Sequence, residues 1–270
     1  MTKWPASIHL GYVLGDHAWG KRLDIALELG FSAVEFPFPQ SLAPADYPKR
    51  LGASGLKHVN VGFPVGDGMD AYRKGAPGIA VNDEASALFD EELKKAVDYA
   101  AGLSAPYIHL FSGLGRSDQS ATSAWGVLCE NAAKTLETIR PLGMQLIIEP
   151  ISSLSFPGYM IDTPAKAARL AKEIGATDVK LMLDVFHSLK MDINPVAIID
   201  EYAPMLGHIQ FADFPGRHEP SQGVLDFSKI FNALEAVHYQ GLVGLEYIPT
   251  RDIRPCIPLR DYLSLSEANG

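Results

Sequence analysis

The sequence predicts a single-domain (β/α)8 TIM barrel over residues 1–270. Eight short runs of apolar and β-branched residues follow one another along the chain, and longer segments separate them. Alternating strands and helices predict a parallel sheet, and eight repeats predict its closure into a barrel. The length agrees, because such barrels commonly have about 250 residues. With 47% hydrophobic residues, the chain can fill one large core.

The strands are predicted from runs of apolar residues, at 8–14, 33–38, 57–64, 107–113, 145–150, 179–185, 207–214 and 241–247. Five connecting segments show the apolar spacing of helices, at 17–30, 90–103, 123–139, 163–175 and 227–239. Asp162 or Thr163 is expected to cap the helix that has Pro164 in its first turn. Glycines stand where three helices should stop, at positions 30, 143 and 175. After the last strand, prolines leave room only for a short closing helix.

Four of the strands end in a residue with a metal-binding oxygen: Glu149, Asp184, Gln210 and Glu246. Their spacings of 35, 26 and 36 residues each fit one strand, one helix and two loops. Strand ends of a parallel barrel meet at one rim, so these side chains are predicted to converge. A single such acid is often a partner of a nearby Arg or Lys. Three carboxylates and one amide close together instead indicate a bound cation, because the carboxylates would otherwise repel one another.

An all-oxygen site suits one divalent metal ion, with Mg²⁺ or Mn²⁺ preferred to Co²⁺ or Zn²⁺, which stay open as alternatives. His187, three residues beyond Asp184, is predicted to donate to a substrate oxygen. His208 lies two residues before Gln210, so both side chains should share one face of their strand. His208 is therefore either a hydrogen-bond partner of the site or a core histidine.

The loop after the seventh strand reads ADFPGRHEP and contains Arg217 and His218, which are predicted substrate-binding residues. The planar guanidinium of Arg217 suits a carboxylate or sugar oxygens. The alternative is a solvated loop with an internal Arg–Glu pair. The irregular stretch 64–84 is predicted to be either a lid over the site or a surface excursion.

Composition excludes several classes of protein. A net charge of −9 argues against a nucleic acid partner, which would attract clustered Lys and Arg. No apolar stretch approaches the 18 or so residues of a membrane span, and the start lacks the apolar region of a signal peptide. A cytoplasmic location is therefore expected. Two cysteines are too few for a disulfide framework, and Cys129 is expected to be a small core residue.

The region from about 143 to 250 resembles hydroxypyruvate isomerase and its 2-oxo-tetronate isomerase relatives, within the xylose-isomerase-like sugar isomerases and epimerases. The resemblance rests on EPIS, LMLDVFH, LGHIQFADFPGRHEP and GLVGLEYIP, and ADFPGRHEP is the most specific of these. It extends more weakly upstream through GFSAVEFPFP, VGFPVGDG and HLFSGL. The chain departs from such isomerases in the 64–84 stretch, which has GAPGIA where they tend to have a GERG-like run. This departure leaves the substrate open.

The resemblance implies a divalent metal held by Glu149, Asp184, Gln210 and Glu246, with Glu149 and Glu246 doubling as the acid/base pair. It implies isomerisation between hydroxypyruvate and tartronate semialdehyde, or of a related short 2-oxo sugar acid, through a cis-enediolate. It also implies a homo-oligomer. Related ketose 3-epimerases usually have His where this chain has Gln210, which favours the isomerase branch.

Several other functions remain as alternatives. The nearest is a ketose 3-epimerase or another sugar isomerase with the same metal and intermediate. A metal-dependent hydrolase of the apurinic endonuclease type needs a His-rich site and a basic face, which this sequence lacks. A metal-free glycosidase would leave Asp184 and Gln210 unexplained. A non-catalytic sugar-binding protein on the same fold is the remaining alternative.

Overall fold

The computed structural model describes residues 2–63, 78–220, 223, 225–254 and 257–266. The chain divides into two compact units. The first comprises Met1–Phe36, Ala43–Val59 and Met182–Gly270, and the second comprises Pro37–Leu42 and Asn60–Leu181. Most of the predicted lid, 64–84, lies outside the described residues.

The first unit contains a parallel sheet flanked by helices. Its strands are β1 (Trp4–His9), β2 (Ala33–Glu35), β3 (Lys57–His58), the last three residues of β7 (Lys180–Asp184), β8 (Leu206–Phe211), β9 (Leu242–Leu245) and β10 (Leu263–Ser264). The spatial order β3-β2-β1-β9-β8 places β1 between β2 and β9, and β10 also pairs with β1. Its helices are α1 (Trp19–Glu28), α3 (Tyr47–Ser54), α7 (Val185–Lys190), α8 (Pro195–Tyr202) and α9 (Phe227–Ala236).

The register of this sheet aligns side chains from four strands. Ser7 on β1 lies opposite Ala33 on β2 and Gly244 on β9, and Gly244 lies opposite Gln210 on β8. Every strand alternates its side chains between two faces, so residues aligned in this way share a face. The helices cover the other face with apolar side chains such as Phe231, which stacks on Phe211 with ring centroids 5.2 Å apart.

The second unit has the same alternation of strands and helices. Its strands are β4 (Asn60–Phe63), β5 (Tyr107–Leu110), β6 (Gln145–Ile148) and the first two residues of β7, and neighbours in this order pair in parallel. Its helices are α2 (Pro39–Leu42), α4 (Ser86–Leu103), α5 (Ala121–Ile139) and α6 (Pro164–Glu173). Thr163 caps α6 by accepting a hydrogen bond from the backbone of Lys166, as one of the two predicted caps.

The five predicted helices are confirmed, and so are the left-handed glycines that end three of them. The first strand is the main correction, because β1 covers 4–9 rather than 8–14. Leu10, Val13 and Leu14 are buried in the loop after β1, so their apolar run has the pattern of a strand. The third predicted strand is divided at Val59 into β3 and β4. Within the described part of the chain, no helix combines the length and the apolar character needed to cross a membrane.

Candidate active site

Three of the predicted oxygen ligands lie at the carboxyl ends of strands in the first unit. Asp184 is the last residue of β7, Gln210 lies near the end of β8, and Glu246 directly follows β9. All three side chains are buried, and the most exposed of them, Glu246, is only 8% exposed. Burial of two carboxylates requires a compensating cation or bound protons.

Arg217 supplies a cation to these carboxylates. Its Nη2 donates to Asp184 Oδ2 at 2.8 Å and to Glu246 Oε1 at 2.5 Å. Its Nη1 lies 3.2 Å from Nε2 of His187. The Arg217 guanidinium therefore contacts Asp184, Glu246 and His187, three residues that the sequence predicts to belong to the site.

The loop after β8 turns Arg217 toward the carboxylates. Arg217 has a left-handed backbone with φ of 56°, which is uncommon for a residue with a side chain. The loop is closed by a bridge in which the Asp213 N–H donates to the carbonyl of His218 at 3.0 Å. The carbonyl of Arg217 accepts from the N–H of Ile248 at 2.7 Å. These backbone contacts fix the direction of the side chain.

Two aromatic rings flank the guanidinium. The Arg217 Cζ lies 4.6 Å from the ring centroid of Tyr12 and 5.0 Å from that of Phe186. Cation–π attraction of this kind stabilises a partly desolvated guanidinium by about 0.5–2 kcal/mol. Attraction to the two rings thus adds to the hydrogen bonds that hold the guanidinium in place.

The loop after β1 that carries Tyr12 is held from two sides. Arg22 donates to the carbonyls of Leu10, Gly15 and His17 at 3.0, 2.8 and 2.9 Å. Nδ1 of His9 accepts from the N–H of Gly11 and of Tyr12 at 3.0 and 2.9 Å. Burial, opposed by Glu35 and assisted by Arg217, lowers the pKa of His9 to about 3, so this imidazole is neutral.

Burial also changes the protonation of the acidic residues. It raises the pKa of Glu246 to about 8, because Asp184 and Glu35 add repulsion and Arg217 offsets only part of the total. Burial likewise raises the pKa of Asp184 against the attraction of Arg217. A carboxyl group with a pKa near neutrality is suited to taking up and releasing a proton.

Glu35, the last residue of β2, is a buried member of the site that the sequence analysis did not single out. Its Oε2 accepts from Nε2 of Gln210 at 2.7 Å, and its Oε1 lies 2.9 Å from Nε2 of His208 and accepts from Ser7. Burial alone would raise its pKa, but His208, Ser7 and His9 together lower it to about 2. Its position at a strand end, in the segment GFSAVEFPFP, was the available signal.

His208 and Gln210 share one face of β8, as predicted, since both side chains contact Glu35. Of the two residues predicted to bind substrate beside Arg217, His187 is buried next to the guanidinium. Burial, with Arg217 and Lys190, keeps the pKa of His187 well below its ordinary value. His218 is half-buried, and its Nδ1 lies 3.1 Å from the carbonyl of Ile248.

In the second unit, Glu149 directly follows β6, as predicted, and is 7% exposed. Its Oε2 lies 3.8 Å from Nε2 of His109 on β5. Glu149 therefore has the strand-end position and the burial of the three oxygen residues in the first unit. Its role as a fourth metal ligand stays a prediction from the sequence.

The residues of the first unit fit a divalent cation. Asp184, Glu246 and Gln210 offer hard oxygen donors, which Mg²⁺ and Mn²⁺ prefer. The Gln210 Oε1 is buried and has no hydrogen-bond partner among the described residues. A buried amide oxygen without a partner is costly unless it receives a donor or a cation.

Comparison with known proteins decides the family. The sequence model of the family described as xylose isomerase-like TIM barrel matches residues 23–260. The chain belongs to this family. A putative hydroxypyruvate isomerase of Homo sapiens is 36% identical over 240 residues, which cover 86% of this chain and 84% of the human protein. A 2-oxo-tetronate isomerase of Cupriavidus necator is 30% identical, with 92% and 94% covered.

A solved structure supports the same fold. The crystal structure described as AP endonuclease, family 2, from Brucella melitensis has a TM-score of 0.85 and 27% identity. The match covers 95% of this chain and 99% of that one. The (β/α)8 TIM barrel and the resemblance to hydroxypyruvate and 2-oxo-tetronate isomerases are thereby confirmed. The chain is an isomerase of this family.

Proposed function

We propose that the protein is a divalent-metal-dependent isomerase that interconverts hydroxypyruvate and tartronate semialdehyde, or a related short 2-oxo sugar acid. The names of the relatives from Homo sapiens and Cupriavidus necator support this substrate class. The observation that carries the proposal is the buried Glu246, which follows a strand end and accepts a hydrogen bond from the same Arg217 nitrogen that donates to Asp184.

The reaction moves one hydrogen between adjacent carbons. A glutamate removes a proton from C3 of hydroxypyruvate, which leaves a cis-enediolate between C2 and C3. A proton delivered to C2, together with transfer of the hydroxyl proton from O3 to O2, completes tartronate semialdehyde. Atoms and charge balance without an external oxidant or reductant.

Glu246 is one proton carrier in this scheme, because it is a buried carboxyl group at a strand end and one of its two oxygens can accept a proton while the other is bonded. Glu149 is the second, on the strength of its strand-end position and of the family resemblance. Which of the two removes the first proton is left open by the scheme.

Arg217 and His187 orient the substrate. The guanidinium holds Asp184 and Glu246 in place, and its positive charge attracts the substrate carboxylate. His187 is neutral and buried, so its ring can exchange hydrogen bonds with a substrate hydroxyl. His218 stays a predicted substrate-binding residue from the ADFPGRHEP loop.

The metal would be held by Asp184, Gln210 and Glu246, with Glu149 as the predicted fourth ligand. Such a cation would polarise the adjacent carbonyl and hydroxyl oxygens of the substrate and acidify the C–H bond between them. Mg²⁺ or Mn²⁺ is the proposed ion, because the donors are all oxygen.

A substrate panel tests the proposal. The purified protein is incubated with hydroxypyruvate, a short 2-oxo sugar acid and several ketoses, with Mg²⁺, Mn²⁺ or Co²⁺ or with EDTA. Proton NMR in D₂O then follows exchange at the carbon next to the carbonyl. We expect metal-dependent exchange and isomerisation of the 2-oxo acids. Turnover that is insensitive to EDTA, or confined to ketoses, would refute the proposal.

A further inference from the structure

We propose that Glu35 is a positioning residue that determines which end of the Gln210 amide faces the metal. The inference rests on the proposed function, in which Gln210 is a ligand. Glu35 itself is 1% exposed and acts through Gln210 rather than on the substrate.

The hydrogen bond between the two residues fixes the orientation of the amide. An amide has an oxygen that accepts and a nitrogen that donates, and the two ends have nearly the same shape. A carboxylate only accepts, so Glu35 Oε2 holds the nitrogen of Gln210 at 2.7 Å. The Gln210 Oε1 must then point away from Glu35, where it is buried without a hydrogen-bond partner among the described residues.

The carboxylate of Glu35 is itself held on its other oxygen. Ser7 donates to Oε1, and Nε2 of His208 lies 2.9 Å from the same atom. Any rotation of the Glu35 carboxylate would therefore break the contacts of Oε1 with Ser7 and His208. Side chains that surround a metal ligand in this way commonly fix its orientation, and their loss weakens metal binding.

Small residues on two strands give Glu35 access to Gln210. In the strand order β2-β1-β9-β8, both β1 and β9 separate the two residues. Ser7 on β1 and Gly244 on β9 lie opposite each other, and Gly244 lies opposite Gln210. A Cβ atom at Gly244 would overlap Oε1 of Glu35. The small side chain of Ser7 and the absence of one at Gly244 therefore leave room for the Glu35 side chain to cross β1 and β9 and reach Gln210.

Replacement of the carboxylate by an amide should reverse Gln210. In Glu35→Gln, the new oxygen would accept from Ser7 and lie next to His208, as Oε1 does now. The new NH₂ group would face Gln210, whose own oxygen would turn toward it. The Gln210 nitrogen would then face the metal, and a nitrogen that carries two hydrogens is not a ligand.

Calorimetric titration with Mn²⁺ alone, at neutral pH and without substrate, tests the inference. We expect Glu35→Gln to weaken Mn²⁺ binding by about 10–100-fold. Glu28→Gln, which removes an exposed carboxylate at the end of α1, is the matched control and should bind like the wild type. Circular dichroism establishes that each variant is folded.

The exchange variant Glu35→Gln/Gln210→Glu separates positioning from a merely structural role. The hydrogen bond is restored with its donor and acceptor exchanged, and the second oxygen of the new carboxylate at 210 is available to the metal. We expect Mn²⁺ affinity to return to at least the wild-type value. This variant also serves as the test should Glu35→Gln alone fail to fold.

The outcomes distinguish this inference from the proposed function. Failure of the wild type to bind Mn²⁺ would overturn both. Binding by the wild type, with equal binding by folded Glu35→Gln, would overturn only the role of Glu35. An exchange variant that is folded but binds no better than Glu35→Gln would also overturn that role.

Discussion

Arg217 Nη2 lies 2.8 Å from Oδ2 of Asp184 and donates to it. The same nitrogen also donates to Glu246, so one guanidinium serves two buried carboxylates. In an interior of low dielectric constant, the positive charge of Arg217 offsets part of the burial and mutual repulsion that raise the pKa of both carboxyl groups. Arg217 is therefore part of the structural basis of the site, in addition to its proposed contact with substrate.

Arg217→Ala should destabilise the fold. Removal of one partner of a buried ion pair leaves uncompensated charge and costs about 3–5 kcal/mol. Urea unfolding at neutral pH measures the free energy. Arg254→Ala is the control, because its ion pair with Asp252 is at the surface, and it should change stability little. Equal stability of Arg217→Ala and wild type would show that the buried pair contributes nothing.

Glu246→Gln should lose turnover by at least about 10²–10⁴-fold, because the amide cannot carry the proton. The rate is measured with saturating metal, so that weakened metal binding does not limit it. Glu137→Gln on the exposed side of α5 provides a matched control with normal turnover. Near-normal turnover of Glu246→Gln would exclude the scheme with two glutamates.

Stability should fall with rising pH because of Glu246. The folded protein holds this proton up to a pKa of about 8, whereas the ordinary value is 4.5. Between these values the folded state binds more protons than the unfolded state, so the contribution is complete below pH 4.5 and is lost as pH rises through 8.

Unfolding by urea in EDTA, at several pH values from 5 to 9, measures this effect. The difference in unfolding free energy between wild type and Glu246→Gln should change by up to about 1.4 kcal/mol per pH unit. A difference that stays constant with pH would mean that Glu246 titrates normally in the folded protein.

Arg22→Lys should loosen the loop that carries Tyr12. A lysine has one ammonium group and cannot reproduce three hydrogen bonds to the carbonyls of Leu10, Gly15 and His17. We expect KM for the substrate to rise several-fold, since Tyr12 flanks Arg217. Steady-state kinetics measures KM, with Lys21→Ala at an exposed position of α1 as control. An unchanged KM would separate this loop from substrate binding.

The periodic features of the chain were predictable from sequence. Apolar runs and helical spacing indicated the order of strands and helices, and the strand ends indicated Asp184, Gln210 and Glu246. The end of β1 was not predictable, because buried loop residues such as Leu10 and Leu14 resemble strand residues in composition.

The role of Glu35 was also hidden, for a different reason. Its partners Ser7 and Gln210 are 28 and 175 residues away in the sequence. The contact with Gln210 also passes over two intervening strands, so a comparison of neighbouring strands does not reveal it. Only the register at Gly244 makes the contact evident.

The buried cluster of the first unit has unequal numbers of acidic and basic groups. Arg217 donates to Asp184 and to Glu246, whereas Glu35 lies beside His208 instead. When Asp184 and Glu246 are both ionised, one guanidinium offsets only one of the two charges, and a bound proton or a bound cation must offset the other. A proton and a cation therefore compete for this pair of carboxyl groups.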